Sequence, residues 1–461
     1  MCEYSGSGNQ PFWDGSNLAR TGAVIVTFNY RLGALGWMKL DHISSDFDSS
    51  ANLGLLDQIE AVKWVKQNIA AFGGDPENIT GFGVSAGATC LMAMLLCPQA
   101  SNLFRRVVLQ SPPMFMVSPS DWASMKGDIF LRSVGLDKST IGELRELDVQ
   151  TILEAQTFMT TWPNFLEGLA PIGPAVDGTT LSSTLMEHYL HRPLPPSYQS
   201  LEIILGYTRD EFNLFFPFLP NFHEMDDSMF VRSYFTHVFG HKNARRAFDI
   251  YRANIVPPCT PPSECARYMA SDVMCRMATL LTAENLSRHG HKVWLYEWDY
   301  EANDVQNIIK AAHMVDAVFS WDNLQHWEDN PFIGPGDEVE RDRIAKQISR
   351  AILQFAKCGD PNHSGIPHWP VYMSESKRER DALLFDRQVR VEKDVYDAGL
   401  SLWKSELKDY VVNCLVPVAK SDTKSKGIAL TMEDDDPSTI IVSGLPFTVS
   451  LAFSVVANKV F

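Results

Sequence analysis

The run Gly83-Val84-Ser85-Ala86-Gly87 constrains this chain more than any other segment. A short strand-like stretch from Asn78 to Phe82 precedes it, and an apolar helical stretch follows it to Leu96. A serine between two glycines at that junction fits a sharp strand-to-helix turn. Such a serine occupies a backbone region that most residues tolerate poorly. Only very small neighbours at the glycine positions let strand and helix approach so closely. At average glycine usage of about 7%, the five-residue pattern arises by chance on the order of 0.1 to 0.2 times in a chain this long. The flanking strand and helix are what give it weight.

The rest of the chain supplies a scaffold for that turn. Ala23 to Tyr30 is β-branched and nearly continuous, the pattern of a strand buried on both faces of a parallel sheet. Ile59, Val62, Val65, Ile69 and Phe72 recur at three- and four-residue steps, which predicts a helix from Asp57 to Phe72. Gly73-Gly74-Asp75-Pro76 stops it. Val107 to Gln110, Ile203 to Gly206, Val293 to Glu297 and Leu383 to Phe385 read as further strands, and Leu400 to Val412 as a closing helix. Residues 114 to 200 read as helical insertions with Pro-rich joints. Strands separated by helical stretches predict a doubly wound α/β fold with a mostly parallel central sheet and helices on both faces. The expected domain is 1–412, followed over 413–461 by a polar linker and an apolar tail.

Composition excludes several classes. Apolar residues make up 45% of the 461 and charged residues 21%, ordinary for a globular protein able to bury a large core. The formal charge of −16 opposes binding to nucleic acid or to an anionic membrane. Eight cysteines are too few for a disulfide scaffold, and no zinc-ligand spacing occurs. Cys90 and Cys97 read as buried thiols, while Cys259 and Cys265 flank a Pro-rich loop and are candidates for a short disulfide. Met1 to Gly8 has neither a basic nor an apolar leader, so the sequence as it stands reads as lacking a signal peptide. Ser438 to Asn458 is uncharged and largely apolar, but Gly444 and Pro446 interrupt it, so it is a poor spanning helix. An anchor-type signal, which alone would imply a membrane, competes there with a packed strand or a misassigned terminus.

A serine hydroxyl is a weak nucleophile and needs a base, itself oriented by a carboxylate. The helix after Ser85 points its positive end at the serine, and the backbone N–H of Ala86 is a candidate oxyanion donor. Twelve histidines compete for the base role; His188, His191, His289 and His291 sit in polar runs and read mostly as surface residues.

Further motifs run in order over roughly residues 12 to 410: Asn29-Tyr30-Arg31-Leu32-Gly33, Asn52-Leu53-Gly54-Leu55-Leu56-Asp57-Gln58, Ala71-Phe72-Gly73-Gly74-Asp75-Pro76-Glu77-Asn78-Ile79-Thr80, Leu109-Gln110-Ser111, Pro174-Ala175-Val176-Asp177-Gly178 and Trp369-Pro370-Val371-Tyr372. With the serine turn, they resemble the type B carboxylesterase family, which includes carboxylesterases, cholinesterases and bacterial para-nitrobenzyl esterases. The resemblance implies the α/β-hydrolase fold, Gly83 and Gly87 flanking the nucleophile elbow, and Ser85 as nucleophile. It implies Glu211, in Gly206-Tyr207-Thr208-Arg209-Asp210-Glu211-Phe212, as the orienting acid, with Asp210 the near alternative. It implies His313, in Ala311-Ala312-His313-Met314-Val315-Asp316, as the base. The order Ser85, Glu211, His313 is the one this fold uses. The implied reaction is two-step acyl transfer from a small-molecule ester, without metal or cofactor. Met114, Phe115, Met116, Phe158, Met159, Trp162, Phe165, Phe215, Phe216 and Phe218 fall where relatives build an apolar gorge.

The chain also departs from the family. Val84 stands where Glu is usual, which predicts the loss of a buried carboxylate near His313. Phe212 replaces a usual Gly, and Pro112-Pro113 follow Ser111 where a supporting hydroxyl is common. Tyr4 to Ser16 resembles the segment just after the family's Gly-Gly oxyanion loop, so a truncated chain of a longer enzyme is the expectation, and truncation would leave an extracellular location open. That expectation includes a missing strand beside the Val24 strand. The rival reading is a cholinesterase-like binding or adhesion protein, weak or inactive because the oxyanion loop is absent.

Overall fold

The computed structural model describes residues 6–157, 172–215, 236–240, 242–255, 262–301, 308–327, 333, 336–372, 380–408 and 454–459. Eight strands form one sheet: β1 (Ala23–Thr27), β2 (Gly74–Val84), β3 (Arg106–Gln110), β4 (Glu202–Thr208), β5 (Lys292–Trp298), β6 (Ala382–Phe385), β7 (Arg390–Glu392) and β8 (Ser454–Lys459). The spatial order is β1-β8-β2-β3-β4-β5-β6-β7. From β2 to β6 every pairing is parallel, with Phe82 opposite Val108, Val108 opposite Ile204, and Ile204 opposite Trp294. Every residue of β3 is buried, the apolar Val107–Leu109 run together with the flanking Arg106 and Gln110, as in a strand covered on both faces.

The helix predicted from Asp57 spans Leu53–Asn68, and a 3₁₀ turn continues it over Ile69–Phe72, where Gly73 ends it at φ 81°. A longer helix, Glu338–Cys358, passed unread in the sequence. Asp337 caps it by accepting from the N–H groups of Val339 and Glu340, and Gly359 ends it at φ 80°. Its Ile344, Ile348, Ile352 and Phe355 are buried, and Phe355 packs edge-on against Trp294 of β5. The expected closing helix is shorter and earlier, Asp397–Ser405.

The left side of the sheet departs most from expectation. β1 lies at the sheet edge and is only partly covered, rather than buried on both faces. Its neighbour is β8, from the apolar tail, antiparallel to both β1 and β2. Val455 sits opposite Val26 on one side and Gly81 on the other. The tail's strand reading therefore fits residues 454–459, and the slot beside the Val24 strand is filled rather than open. Filling it gives the inner backbone groups of β1 and β2 the partners that buried amides and carbonyls need. Among the described residues no helix is long and apolar enough to cross a membrane.

This frame gathers the loops after β2, β4 and β5 at the carboxyl ends of the parallel strands, where open α/β sheets place their sites. The turn after β2 is the tightest. Ser85 sits at φ 56°, ψ −127°, and the ten residues Ala86–Leu95 that follow are all buried. A Cβ at Gly83 would lie 2.6 Å from the carbonyl carbon and oxygen of Gly87. That clash is with backbone, which cannot swing aside. Gly83→Ala is therefore expected to destabilise the fold by about 1–3 kcal/mol, read as a lower urea midpoint with hydrolytic activity falling alongside. An unchanged midpoint would contradict this account of the turn.

Candidate active site

Ser85 is tied down from both sides of the turn. Its N–H donates to the carbonyl of Gln110, the last residue of β3, at 2.8 Å, and its own carbonyl accepts from Thr89 at 3.0 Å. Ala86 is the first helical residue, so its N–H belongs to the first turn, which has no preceding helical carbonyl to donate to. The Ser85 side chain sits 2.7 Å from Nε2 of His313. Nδ1 of the same ring lies 2.5 Å from Oε2 of Glu211. The carboxylate fixes the ring proton on Nδ1, which leaves Nε2 to accept from the serine hydroxyl. Ser85, His313 and Glu211 are all buried, with relative exposures of 6%, 1% and 0%.

The two downstream groups arrive on loops bonded to each other. Glu211 opens a 3₁₀ turn just after β4, and its Oε1 accepts from the Thr208 N–H at 2.8 Å. Asp210 donates its N–H to Ala311 at 2.9 Å and pairs with Ala312 in an isolated parallel bridge. His313 sits just beyond that bridge, and Met314 turns the chain at φ 73° into the helix Val315–Ser320. Asp210 itself points elsewhere, pairing with Arg209 at 2.8 Å. Phe212 is buried in the 3₁₀ turn and donates its N–H to Ser271 at 3.0 Å. Phe215 packs on the imidazole with ring centroids 5.6 Å apart.

Beneath the acid loop lies a buried ion pair. Arg276 bonds Asp272 and also donates to the carbonyl of Arg209, two residues before Glu211. Asp272 accepts in turn from Tyr396 at 2.7 Å and from Trp403 at 3.2 Å. A π-helical turn, Asp272–Arg276, carries this pair and aims Cys275 at the site. The Cys275 thiol donates to the carbonyl of Ser111 at 3.3 Å, and burial together with the charges of Glu211 and Asp316 pushes its pKa well up. Donor atoms of Glu211, Cys275 and His313 lie within 4.8 Å of one another, but imidazole and carboxylate already bond each other.

Other expectations fare variously. Val84 removes one carboxylate, yet another buried one, Asp316, stands three residues after His313. Sequence reading passed over it. Ser111 is buried with its hydroxyl unpartnered, and the Pro113 carbonyl accepts from Thr89 at 3.2 Å. Cys90 and Cys97 are buried as expected, whereas Cys259 lies outside the described residues. Of the four surface histidines, His291 is instead buried, its ring against the Leu201 carbonyl. Of the gorge candidates, Met114, Met116 and Phe215 are buried and Phe115 half-buried. Phe158, Met159, Trp162, Phe165, Phe216 and Phe218 lie outside the described residues.

Comparison with known proteins identifies the family of the chain. Residues 2–403 match the profile of the carboxylesterase family. The para-nitrobenzyl esterase of Bacillus subtilis is 31% identical over 394 residues, covering 85% of this chain and 75% of its own. Mouse cholinesterase is 36% identical over 403 residues, covering 81% of this chain and 63% of its own. A carboxylesterase crystal structure from Geobacillus stearothermophilus superimposes with a TM-score of 0.75 at 30% identity, over 87% of this chain and 79% of that one. The chain belongs to the carboxylesterase family. It is a carboxylic-ester hydrolase of the α/β-hydrolase fold, acting on small-molecule esters.

The Arg276–Asp272 pair makes a direct claim about the acid loop. Arg276→Ala strands a buried carboxylate and frees the Arg209 carbonyl, so it is expected to destabilise the protein by about 3–5 kcal/mol. Guanidinium unfolding measures this, and a loss below about 1 kcal/mol would contradict it.

Proposed function

We propose that this chain cleaves carboxylic esters through a covalent acyl-enzyme, with Ser85 as nucleophile, His313 as general base and Glu211 as the carboxylate that orients and charge-balances the imidazole. The observation that carries the reading is the unbroken line Ser85 Oγ to His313 Nε2 at 2.7 Å and His313 Nδ1 to Glu211 Oε2 at 2.5 Å, all of it buried. His313 takes the hydroxyl proton as Ser85 Oγ bonds to the ester carbonyl carbon. The carbonyl oxygen becomes an oxyanion, and the Ala86 N–H donates to it. The carbon–oxygen bond to the alcohol breaks, and His313 returns its proton to the departing alcohol. Water then repeats the sequence on the acyl-serine, releasing the acid. Ester and water are the only reactants consumed.

Phe215, packed on the His313 ring, favours apolar acyl or aromatic groups. The likeness to a para-nitrobenzyl esterase makes aryl and benzyl esters the first substrates to try.

A fluorophosphonate probe is expected to label the protein and to leave Ser85→Ala unlabelled. Ser85→Ala should lose at least about 10⁴-fold in kcat/KM on a p-nitrophenyl ester, and Glu211→Gln about 10³- to 10⁴-fold. Folded wild-type protein that takes up no probe would sink the hydrolytic mechanism and favour a binding role.

A further inference from the structure

The proposed mechanism makes no use of Cys275, although the π-helical turn Asp272–Arg276 buries it completely beside Glu211 and His313. Its thiol donates to the Ser111 carbonyl at 3.3 Å. Ser111 is itself fully buried, and its hydroxyl has no hydrogen-bond partner among the described residues. The Cys275 sulfur, a carboxylate oxygen of Glu211 and a ring nitrogen of His313 all lie within 4.8 Å of one another. The three come from separate elements: the π-helical turn, the 3₁₀ turn after β4 and the loop before the helix Val315–Ser320. The ring nitrogen facing the carboxylate is Nδ1, 2.5 Å from Oε2.

One sulfur, one imidazole nitrogen and one carboxylate oxygen make a donor set for a borderline-soft divalent cation. Ca²⁺ and Mg²⁺ prefer oxygen alone, whereas Zn²⁺ takes all three donor types. Zinc bonds of about 2.0–2.1 Å to nitrogen and oxygen and about 2.3 Å to sulfur place tetrahedral ligand atoms roughly 3.3–3.6 Å apart. Nδ1 and Oε2 must therefore part by about 0.8 Å, and the sulfur must close by no more than about 1.5 Å. The fourth position falls to water or to the Ser111 carbonyl, which loses its thiol donor once the sulfur binds the ion. Charge closes as well. The thiolate and the carboxylate match the two positive charges of the ion, and the imidazole stays neutral. A buried ion is tolerated when it is paired in this way.

We infer that Glu211, Cys275 and His313 form a site for Zn²⁺ whose occupation switches off ester hydrolysis. The switching half of this inference rests on the Ser85–His313–Glu211 mechanism. On binding, Cys275 gives its thiol proton to water, and the sulfur donates an electron pair to the ion. A neutral imidazole has one lone pair and one N–H. When Nδ1 turns its lone pair to the ion, the ring proton moves through water to Nε2. Nε2 then has no lone pair left to accept the Ser85 proton. The carboxylate that held the productive tautomer now holds the ion instead. All three ligands are buried, so entry requires local opening, and inhibition sets in more slowly than mixing.

The test takes the full chain, freed of metal with a chelator, and uses Zn²⁺ and Co²⁺ as probes. Hydrolysis of p-nitrophenyl acetate is followed after pre-incubation with buffered Zn²⁺. Co²⁺ bound by the same proteins is read from its thiolate charge-transfer absorption. At free Zn²⁺ about tenfold above its Kd, wild type is expected to keep about a tenth of its metal-free rate and to recover the rest when chelator is added. Ser85→Ala should show the same cobalt band, because it keeps all three ligands. Cys275→Val, compared with its own metal-free rate, should lose the band and bind Zn²⁺ at least about 100-fold more weakly, since even an outer-shell partner of a metal site is worth about 10- to 100-fold. Where the valine variant does not fold, His313→Gln serves: it removes a second ligand, and an unchanged Co²⁺ affinity overturns the site. Neither band nor inhibition in wild type overturns the site and leaves the triad standing. Inhibition that Cys275→Val shares in full also overturns the site, because zinc then acts elsewhere. One equivalent of ion bound through Cys275 and His313 with hydrolysis undiminished overturns the switch and, with it, His313 as the base.

Discussion

The hydrogen bond between His313 and Ser85 is the interaction on which the rest of this structure converges. It spans 228 residues of sequence, and each end is held by a different part of the sheet. On the serine side, Gly83 lets β2 meet the following helix, and the Gln110 carbonyl holds the serine's amide. On the imidazole side, Glu211 holds the ring, and the Asp210–Ala312 bridge aligns the two loops. On the proposed mechanism, misplacement by about 1 Å in such a line costs on the order of 10²-fold in rate, which makes alignment the scaffold's first task. The positive φ of Ser85 is a strained conformation that the packed helix behind it maintains.

Charge around that line is arranged as carefully as distance. Glu211 and Asp316 are both buried, and Glu211 bonds the imidazole. They differ in what they bond. Glu211 accepts from the ring and from the Thr208 amide, while Asp316 accepts from a phenol, an amide side chain and a backbone N–H. The Arg276–Asp272 pair below neutralises itself and anchors the Arg209 carbonyl, so its effect on the site runs through position.

Much of this was legible in the sequence. The elbow was readable because strain demands glycines at fixed places, and β3, β4 and β5 because buried parallel strands are continuous apolar runs. Glu211 and His313 were reached only through family resemblance, since nothing local separates His313 from eleven other histidines. The helix Glu338–Cys358 was missed although Ile344, Ile348, Ile352 and Phe355 mark one face, a signal present in the chain and passed over. Two other features had no local signal. β8 takes its place through pairing with strands some 375 to 430 positions earlier in the chain, as Ala457 opposite both Val24 and Ile79 illustrates. Asp316 reads as an ordinary acid in a helix's first turn until Tyr296 and Gln110, brought in by β5 and β3, enclose it.

The most direct measurement is rapid mixing with p-nitrophenyl acetate, followed by acid quenching and peptide mass spectrometry. The account predicts a burst of p-nitrophenol close to one equivalent per enzyme wherever deacylation is the slower step. It predicts an acetyl group on the peptide bearing Ser85, which disappears as turnover completes. Acetyl found on another residue, or hydrolysis with no acylated peptide under conditions where deacylation is slowed, would contradict it.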